Sequence, residues 1–456
     1  MHLKISDMDM LHGSLAGKLL LFTLPIALSS MVQQLFNAAD TAVAGHFGSA
    51  NALAAVGTNT EIIALIVTVS SGLSIGANVL IAKHVGRNEA EKLPAAVQTA
   101  MRLAMCIGVI GLLLGQIAAA PLLRLIRTPE EIFDAAALYL RIYMLGYPFL
   151  LLYDFGAACL RARGDSRYPF LALLLSGFAN VGLNLLFTAG LRMGVAGVAI
   201  ATDLSTMLSA FLVLRRLAKD AVFRFAILNQ RSARNGVWSI LKTGIPSAVQ
   251  GAVFCFANIF VQASVNRFGA EAIAGSTIAM NFEYVTYYII TAFAQAATTF
   301  TSQNHAAGEF WRCRRILRLC LGLSLLCSTV PLFAIVLFRD TLSGLFTPNA
   351  AVIQSAGVRI LCILLFEPVC NLYEIPAGVL RGSGHAFYPA ISTMIGTCAF
   401  RILWICTVFQ ANPALPMLYH AFPLSWAATI LLVNSGFLAI HPLRTTSRAA
   451  RSSQQA

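Results

Sequence analysis

The chain has 456 residues, of which 58% are hydrophobic and 11% charged, with a mean hydropathy of +0.74. Soluble domains carry roughly 25% charged residues, so a water-soluble enzyme is excluded, as is a disordered chain; a polytopic membrane protein remains. The net charge of +13 fits the loops of such a protein, where Lys and Arg collect on the cytoplasmic side, and no basic face with interleaved aromatics points to nucleic acid.

A bilayer core takes about 20 residues of helix, and twelve apolar segments of that length are predicted in chain order. The first, 16–45, follows Lys18, but Asp7 and Asp9 spoil the basic region of a signal peptide, so it reads as a retained span, with Asp40 near its far end. Segments 52–81, 93–120 and 133–159 follow; the first carries Glu61 and the third Pro148, Tyr153 and Asp154. Segment 168–190 holds Asn180 and Asn184, and 194–217 holds Thr202 and Asp203. After a basic stretch at 218–237, segment 238–265 contains Pro246, Gln250, Asn258 and Gln262. Segment 272–302 carries Glu283 beside a heptad-spaced stripe of Tyr284, Tyr288, Thr291, Gln295, Thr298 and Ser302. Segments 315–338, 352–380, 386–409 and 414–440 complete the set, with Glu367, Asn371 and Glu374 at i, i+4 and i+7 in the second of these and Arg401 in the third. That spacing predicts one shared helix face for the two acids and the amide, and Arg401 is expected to pair with Glu367 or Glu374.

With twelve spans, 23 of the 32 Lys and Arg fall on one side and five on the other. That split predicts a multi-pass protein with both termini cytoplasmic. The ten cysteines lie in apolar runs or repeat every seven residues, with no CxxC, and read as small apolar fillers rather than metal ligands.

The chain also matches itself at an offset of about 220 residues. Leu160-Arg161-Ala-Arg-Gly164-Asp-Ser-Arg-Tyr168-Pro169 recurs as Leu380-Arg381-Gly-Ser-Gly384-His-Ala-Phe-Tyr388-Pro389, and Pro25, Pro148 and Tyr153 recur as Pro246, Pro368 and Tyr373. Six spans per copy, an even number, give both halves one orientation. The expected fold is therefore all-α, with two six-helix bundles at 1–217 and 238–456 related by a pseudo-two-fold along the membrane normal, and 218–237 as a cytoplasmic linker.

Seven acids fall inside spans, and each costs about 2.5–3.5 kcal/mol or more at the bilayer centre if it faces lipid. Depth groups Asp40, Glu61, Asn180, Asn184, Thr202 and Asp203 in one layer about 8–15 Å below the outer surface at 1.5 Å per residue. The repeat separates this layer from the shared fold, because Asp40, Asn180 and Asn184 align with Val261, Phe400 and Trp404. A second set in the other half, Glu283, Tyr284, Tyr288, Gln295, Glu367, Asn371 and Glu374, combines carboxylates with aromatic rings, a chemistry suited to organic cations.

The segment Phe36-Asn-Ala-Ala-Asp40-Thr41-Ala-Val-Ala-Gly45 resembles the first helix of the multidrug and toxic compound extrusion (MATE) family. Asn180-x-x-x-Asn184 with Gly194-Val-Ala-Gly197 through Thr202 resembles its fifth and sixth helices, and Ala294-Gln295-Ala-Ala with Ser302-Gln303-Asn304 its eighth. The resemblance implies a cation-coupled antiporter of the bacterial inner membrane that exports amphipathic, mainly cationic organic compounds. It also implies a proton or sodium site at Asp40, Asn180, Asn184 and Thr202; this chain has Asn184 where many relatives have Asp. Sodium at Asp40 is the only metal expected, the ion gradient replaces any cofactor, and the partners are small organic substrates and lipids around a monomer. A lipid or lipid-linked precursor flippase shares this architecture. A membrane-embedded acyltransferase would need a nucleophile with a His or a metal cluster at one depth, and the sequence offers neither.

Sidedness is directly testable in a background lacking reactive native cysteines. Ser49→Cys and Asn349→Cys should label from outside with an impermeant thiol reagent, and Gln230→Cys only after permeabilisation. Labelling of the position-230 variant in intact cells contradicts the assigned topology.

Overall fold

The computed structural model describes residues 8–47, 50–126, 128–219 and 234–443, and the regular structure among them is entirely helical. The first half forms α1 (Leu15–Phe47), α2 (Ala50–Gly86), α3 (Leu93–Leu125), α4 (Glu130–Leu145), α5 (Tyr147–Ala162), α6 (Arg167–Asn184) and α7 (Gly194–Lys219), with α6 running on as a π-helical turn, Leu185–Gly190. The second half forms α8 (Arg234–Val265), α9 (Ala270–Ala306), α10 (Phe310–Leu337), α11 (Arg339–Gly344) and α12 (Ala350–Cys362). A 3₁₀ stretch, Leu364–Cys370, leads into α13 (Asn371–Ser383). Then come α14 (Phe387–Thr393), a π-helical turn Met394–Ala399, α15 (Phe400–Cys406), α16 (Val408–Ala411), α17 (Leu415–Tyr419) and α18 (Ala421–Ile440).

Among the described residues, ten helical stretches are long and apolar enough to cross a bilayer, eleven if α4 and α5 count as one span bent by 44°. The bend has a covalent cause: Pro148, in the first turn of α5, has no N–H to donate back into α4, so the run at 133–159 is not one straight helix. The twelfth span is α9. It has ample length at 37 residues, but Asn281, Glu283, Gln295 and its Tyr and Thr residues lower its hydropathy. Its place explains its composition: it packs against α10, α12 and α13 and buries more than half its residues, so little of it needs to suit lipid. Twelve spans in two six-helix bundles is the architecture.

The chain separates into two compact units, Met1–Asp9 with Leu28–Ala248 and Met10–Ala27 with Val249–Ala456. The expected limits at 217 and 238 differ from these, because the leading part of α1 belongs to the second unit and the leading part of α8 to the first. Most of the expected linker, 220–233, lies outside the described residues.

Repeat-related residues do the same work in each unit. Tyr168 Oη donates to Leu212 O at 3.2 Å and Tyr388 Oη to Leu432 O at 2.8 Å. Glu374 pairs with Arg381 at 3.7 Å; its counterpart Asp154 accepts from Ser70 Oγ at 2.7 Å and lies within electrostatic range of Arg161. These acids fasten the fold.

Close backbone approach adds to the packing of buried apolar side chains. Gly72 and Gly76 of α2, spaced as GxxxG, meet the leading part of α8: a Cβ at Gly76 would lie 2.0 Å from Ile240 O, and one at Gly72 2.6 Å from Ala248 Cα. Gly378 and Gly382 of α13 repeat the device, each placing a Cβ position 2.5 Å from a carbonyl oxygen of α9, that of Ala294 or Thr298. Small residues let helix backbones approach where lipid offers no hydrophobic drive. Gly76→Val should cost about 1–3 kcal/mol by overpacking and lower the melting temperature in detergent. Gly322→Val, at a position with nothing within 4 Å, should leave it unchanged; equal melting temperatures contradict the packing.

Candidate functional site

In the first unit α1, α6 and α7 bring four polar side chains together. Asn180 and Asn184 lie one turn apart on α6, which aligns their amides, and Asn184 is the last residue before the helix widens into its π turn, a distortion frequent at functional positions. Asn184 Nδ2 donates to Asp40 Oδ1 at 2.5 Å and to Asn180 Oδ1 at 3.3 Å. Two acceptors on one nitrogen fix the amide's orientation and leave Asn184 Oδ1, fully buried, with no partner. Thr202 Oγ1 lies 3.3 Å from Asp40 Oδ2 and 3.0 Å from Val198 O, to which its one hydroxyl proton is shared, and receives Asn180 Nδ2 at 3.5 Å. Asp40 itself is 8% exposed and, among the described residues, has no cationic partner. The cluster offers carboxylate, amide and hydroxyl oxygens, a donor set for a hard monovalent cation or a proton.

The other two candidates in that layer stand apart from these bonds. Asp203 accepts from the backbone N–H of Gly146, where α4 meets α5, as the divergence of adjacent helical residues requires. Glu61 is exposed. The structure adds two residues that the sequence reading passed over: Tyr139 and Tyr143 of α4, with rings stacked at 6.5 Å, both within electrostatic range of Asp40 and Asp203. Their i, i+4 spacing was the available signal, and its use depends on the rotation of α4, which periodicity alone leaves open.

The second unit encloses a cavity of about 100 Å³ lined by Glu283, Tyr284, Arg359, Glu367 and Arg401, with Asn258, Gln262 and the rings of Phe254, Tyr287, Tyr373, Phe422 and Trp426. Arg359 of α12, not singled out in the sequence, gives Nε to Glu283 Oε1 at 2.7 Å, Nη2 to Oε2 at 2.9 Å and Nη1 to Ser276 Oγ at 2.6 Å. Among the described residues Arg401 forms no ion pair, contrary to expectation. It is 1% exposed, gives Nε to Ser425 Oγ at 3.1 Å and Nη1 to Asn258 Oδ1 at 3.5 Å, and lies 3.9 Å from the centre of the Phe422 ring. A desolvated cation–π contact is worth about 2 kcal/mol or more, against a penalty of several kcal/mol for burying an ion. Glu374 is taken by Arg381, and Glu367, 5% exposed, leaves Oε2 unpartnered.

The expected common face of Glu367, Asn371 and Glu374 is corrected for a related reason. Glu367 and Pro368 sit in the 3₁₀ stretch, whose three residues per turn break α-helical register. Glu367 therefore lines the cavity while Asn371 turns to α10, accepting from Ser324 Oγ and donating to Ser328 Oγ at 3.3 Å. Tyr288 stacks on Tyr284 at 5.7 Å; Tyr288, Gln295, Asn371 and Glu374 are not among the cavity's lining residues. Across the repeat Asp40, Tyr139 and Thr202 correspond to Val261, Arg359 and Phe422, all of which line this cavity.

The model of the MatE family matches residues 25–186 and again 246–406, at the offset of the internal repeat. The probable multidrug resistance protein YoeA of Bacillus subtilis (strain 168) is 25% identical over 425 residues, 91% of each chain. The probable multidrug resistance protein NorM of Thermotoga maritima is 28% identical over 402 residues, 84% of each. A FAD transporter of Shewanella oneidensis is 25% identical over 394 residues, 81% of this chain and 86% of its own. In fold, a crystal structure of MATE in the bent conformation matches with a TM-score of 0.89 at 21% identity, covering 96% of this chain and 98% of that one. Since both halves match the family model and together cover most of its length, this chain belongs to the MatE family of multidrug and toxic compound extrusion transporters.

Proposed function

We propose that this transporter is a cation-coupled antiporter that exports amphipathic organic compounds, cations among them, by alternating access, with protons as the principal coupling ion. The observation that carries the reading is Asp40, a buried carboxylate bonded to Asn184 and Thr202 without a cationic partner among the described residues. A carboxylate so placed gains or loses one charge when it takes up an ion, and binding that differs between two conformations shifts the balance between them.

The Asn184 amide suits the proton version. Ionised Asp40 takes its Nδ2–H; protonated Asp40 is a donor and is met by Oδ1 once the amide turns over. That turn also reverses the bond to Asn180 and frees Thr202 for Val198 O, so one proton reorders α1, α6 and α7 together. Sodium favours several anionic or carbonyl oxygens, and Asn184 adds an amide oxygen but no charge. Export of amphipathic compounds is supported by the relatives named as multidrug resistance proteins; the FAD transporter among them shows that relatives at this distance also take other cargo.

Asp40→Asn should abolish gradient-driven export of an amphipathic cation such as ethidium while leaving folded protein in the membrane. Val261→Ala, at the repeat-equivalent position, should leave the ion requirement unchanged. Normal coupled export by Asp40→Asn assigns the aspartate to helix fastening alone.

The coupling ion is decided in vesicles by imposing the two gradients separately. Export is expected under a pH gradient and should collapse with a protonophore. Strong export at equal, clamped pH on an inward sodium gradient, indifferent to a protonophore, overturns proton coupling.

A further inference from the structure

The cavity of the second unit holds an acid and a base that form no ion pair among the described residues, and we propose that it is a binding subsite for a small aromatic zwitterion, whose ammonium meets Glu367 and whose carboxylate meets Arg401. Glu283 is not available to a ligand, because Arg359 engages both of its oxygens. Glu367 is different: it is 5% exposed, faces the cavity, and its Oε2 has no hydrogen-bond partner. Arg401 is buried on the same cavity, with only the neutral acceptors Ser425 and Asn258 and no carboxylate among the described residues.

Glu367 and Arg401 do not pair with each other, so the ligand must reach both. A ligand with a single cation answers Glu367 and leaves Arg401 buried without a counter-charge; a simple anion does the reverse. A molecule carrying both ends answers both at once, and truncating either end leaves a buried charge unpaired. The same cavity is lined by Phe254, Tyr287 and Tyr373, surfaces for an aromatic body, and its volume of about 100 Å³ holds that body to a compact one. The position is itself informative: this cavity occupies the repeat equivalent of the Asp40 site, with Val261 in place of the aspartate. The bundle that lacks the ion-binding carboxylate therefore has a different occupant. This deepens the export reading and rests on it only for the fate of the ligand after binding.

The test uses the full chain in detergent and calorimetric titration with three probes: L-phenylalanine, its methyl ester, which keeps only the cation, and N-acetyl-L-phenylalanine, which keeps only the anion. L-Phenylalanine should bind at least tenfold more tightly than either single-charge analogue. Glu367→Gln should weaken L-phenylalanine at least tenfold and leave the N-acetyl compound unchanged, whereas Arg401→Lys should weaken both and spare the methyl ester. Equal affinities for the three probes, or no binding of L-phenylalanine to folded wild-type protein at millimolar concentration, overturns the proposal; if a variant fails to fold, the wild-type comparison decides alone. Asp40→Asn should keep L-phenylalanine affinity within twofold of wild type, so a failure of coupled export is distinguishable from a failure of the subsite.

Discussion

An ionised side chain inside a bilayer-spanning bundle needs a partner, because lipid gives it none and the penalty at the centre is about 2.5–3.5 kcal/mol or more. The two units of this protein are arranged by how that need is met. Asp154 and Glu374, at equivalent positions of the repeat, are met by a serine and by arginines seven residues on, and a solution present in both halves belongs to the common scaffold. Glu283 and Arg359 meet each other completely. Asp40 is met by an amide and a hydroxyl, neutral groups that accommodate either protonation state. A carboxylate held by neutral donors keeps its freedom to change charge, which one locked to arginine does not.

Duplication has given each unit a space at the same point of the repeat, and the residues around it have diverged. In the first unit it is filled by a carboxylate and two amides that bond one another. In the second the corresponding positions are Val261, Phe400 and Trp404, the site has opened into a cavity, and the charges come from residues without charged counterparts, Arg359 from the place of Tyr139 and Glu367 from that of Tyr147. The helices that frame both spaces are held by the same tyrosine-to-carbonyl bonds, so their chemistry has changed without disturbing the frame.

The sequence makes the scaffold legible and the detail of the second unit much less so. Hydropathy and the 220-residue offset expose twelve spans and two bundles, and α9 is found in spite of its polarity because its length and place in the repeat demand a span there. The Asp40 group is also legible, since depth along a regular helix follows from residue count and the asymmetry between halves marks what the fold does not require. Legibility ends where helices are irregular. Pro148 bends α4 from α5, and the 3₁₀ stretch around Pro368 rotates Glu367 away from Asn371 and Glu374, so face arguments built on 3.6 residues per turn do not carry across either. Arg359 and the unpaired state of Arg401 depend on which helices become neighbours, and spacing along one helix holds no record of that.

The exchange of leading segments between the units has a consequence for how such a chain arose. The first unit ends at Ala248 and the second begins again at Met10–Ala27, and both changes of allegiance fall two residues beyond the repeat-related prolines, Pro25 and Pro246. Neither half of the chain therefore contains a complete core: the Gly72–Gly76 groove of the first unit is closed by residues 240–248 of the second half, and Phe22 of the first half packs against Phe300 of the second. This is the geometry of a domain-swapped dimer made permanent within one polypeptide. A single six-helix ancestor with this connectivity would have completed its core only by lending the leading part of its first helix to a second copy, so pairing would have preceded the fusion that produced the present chain.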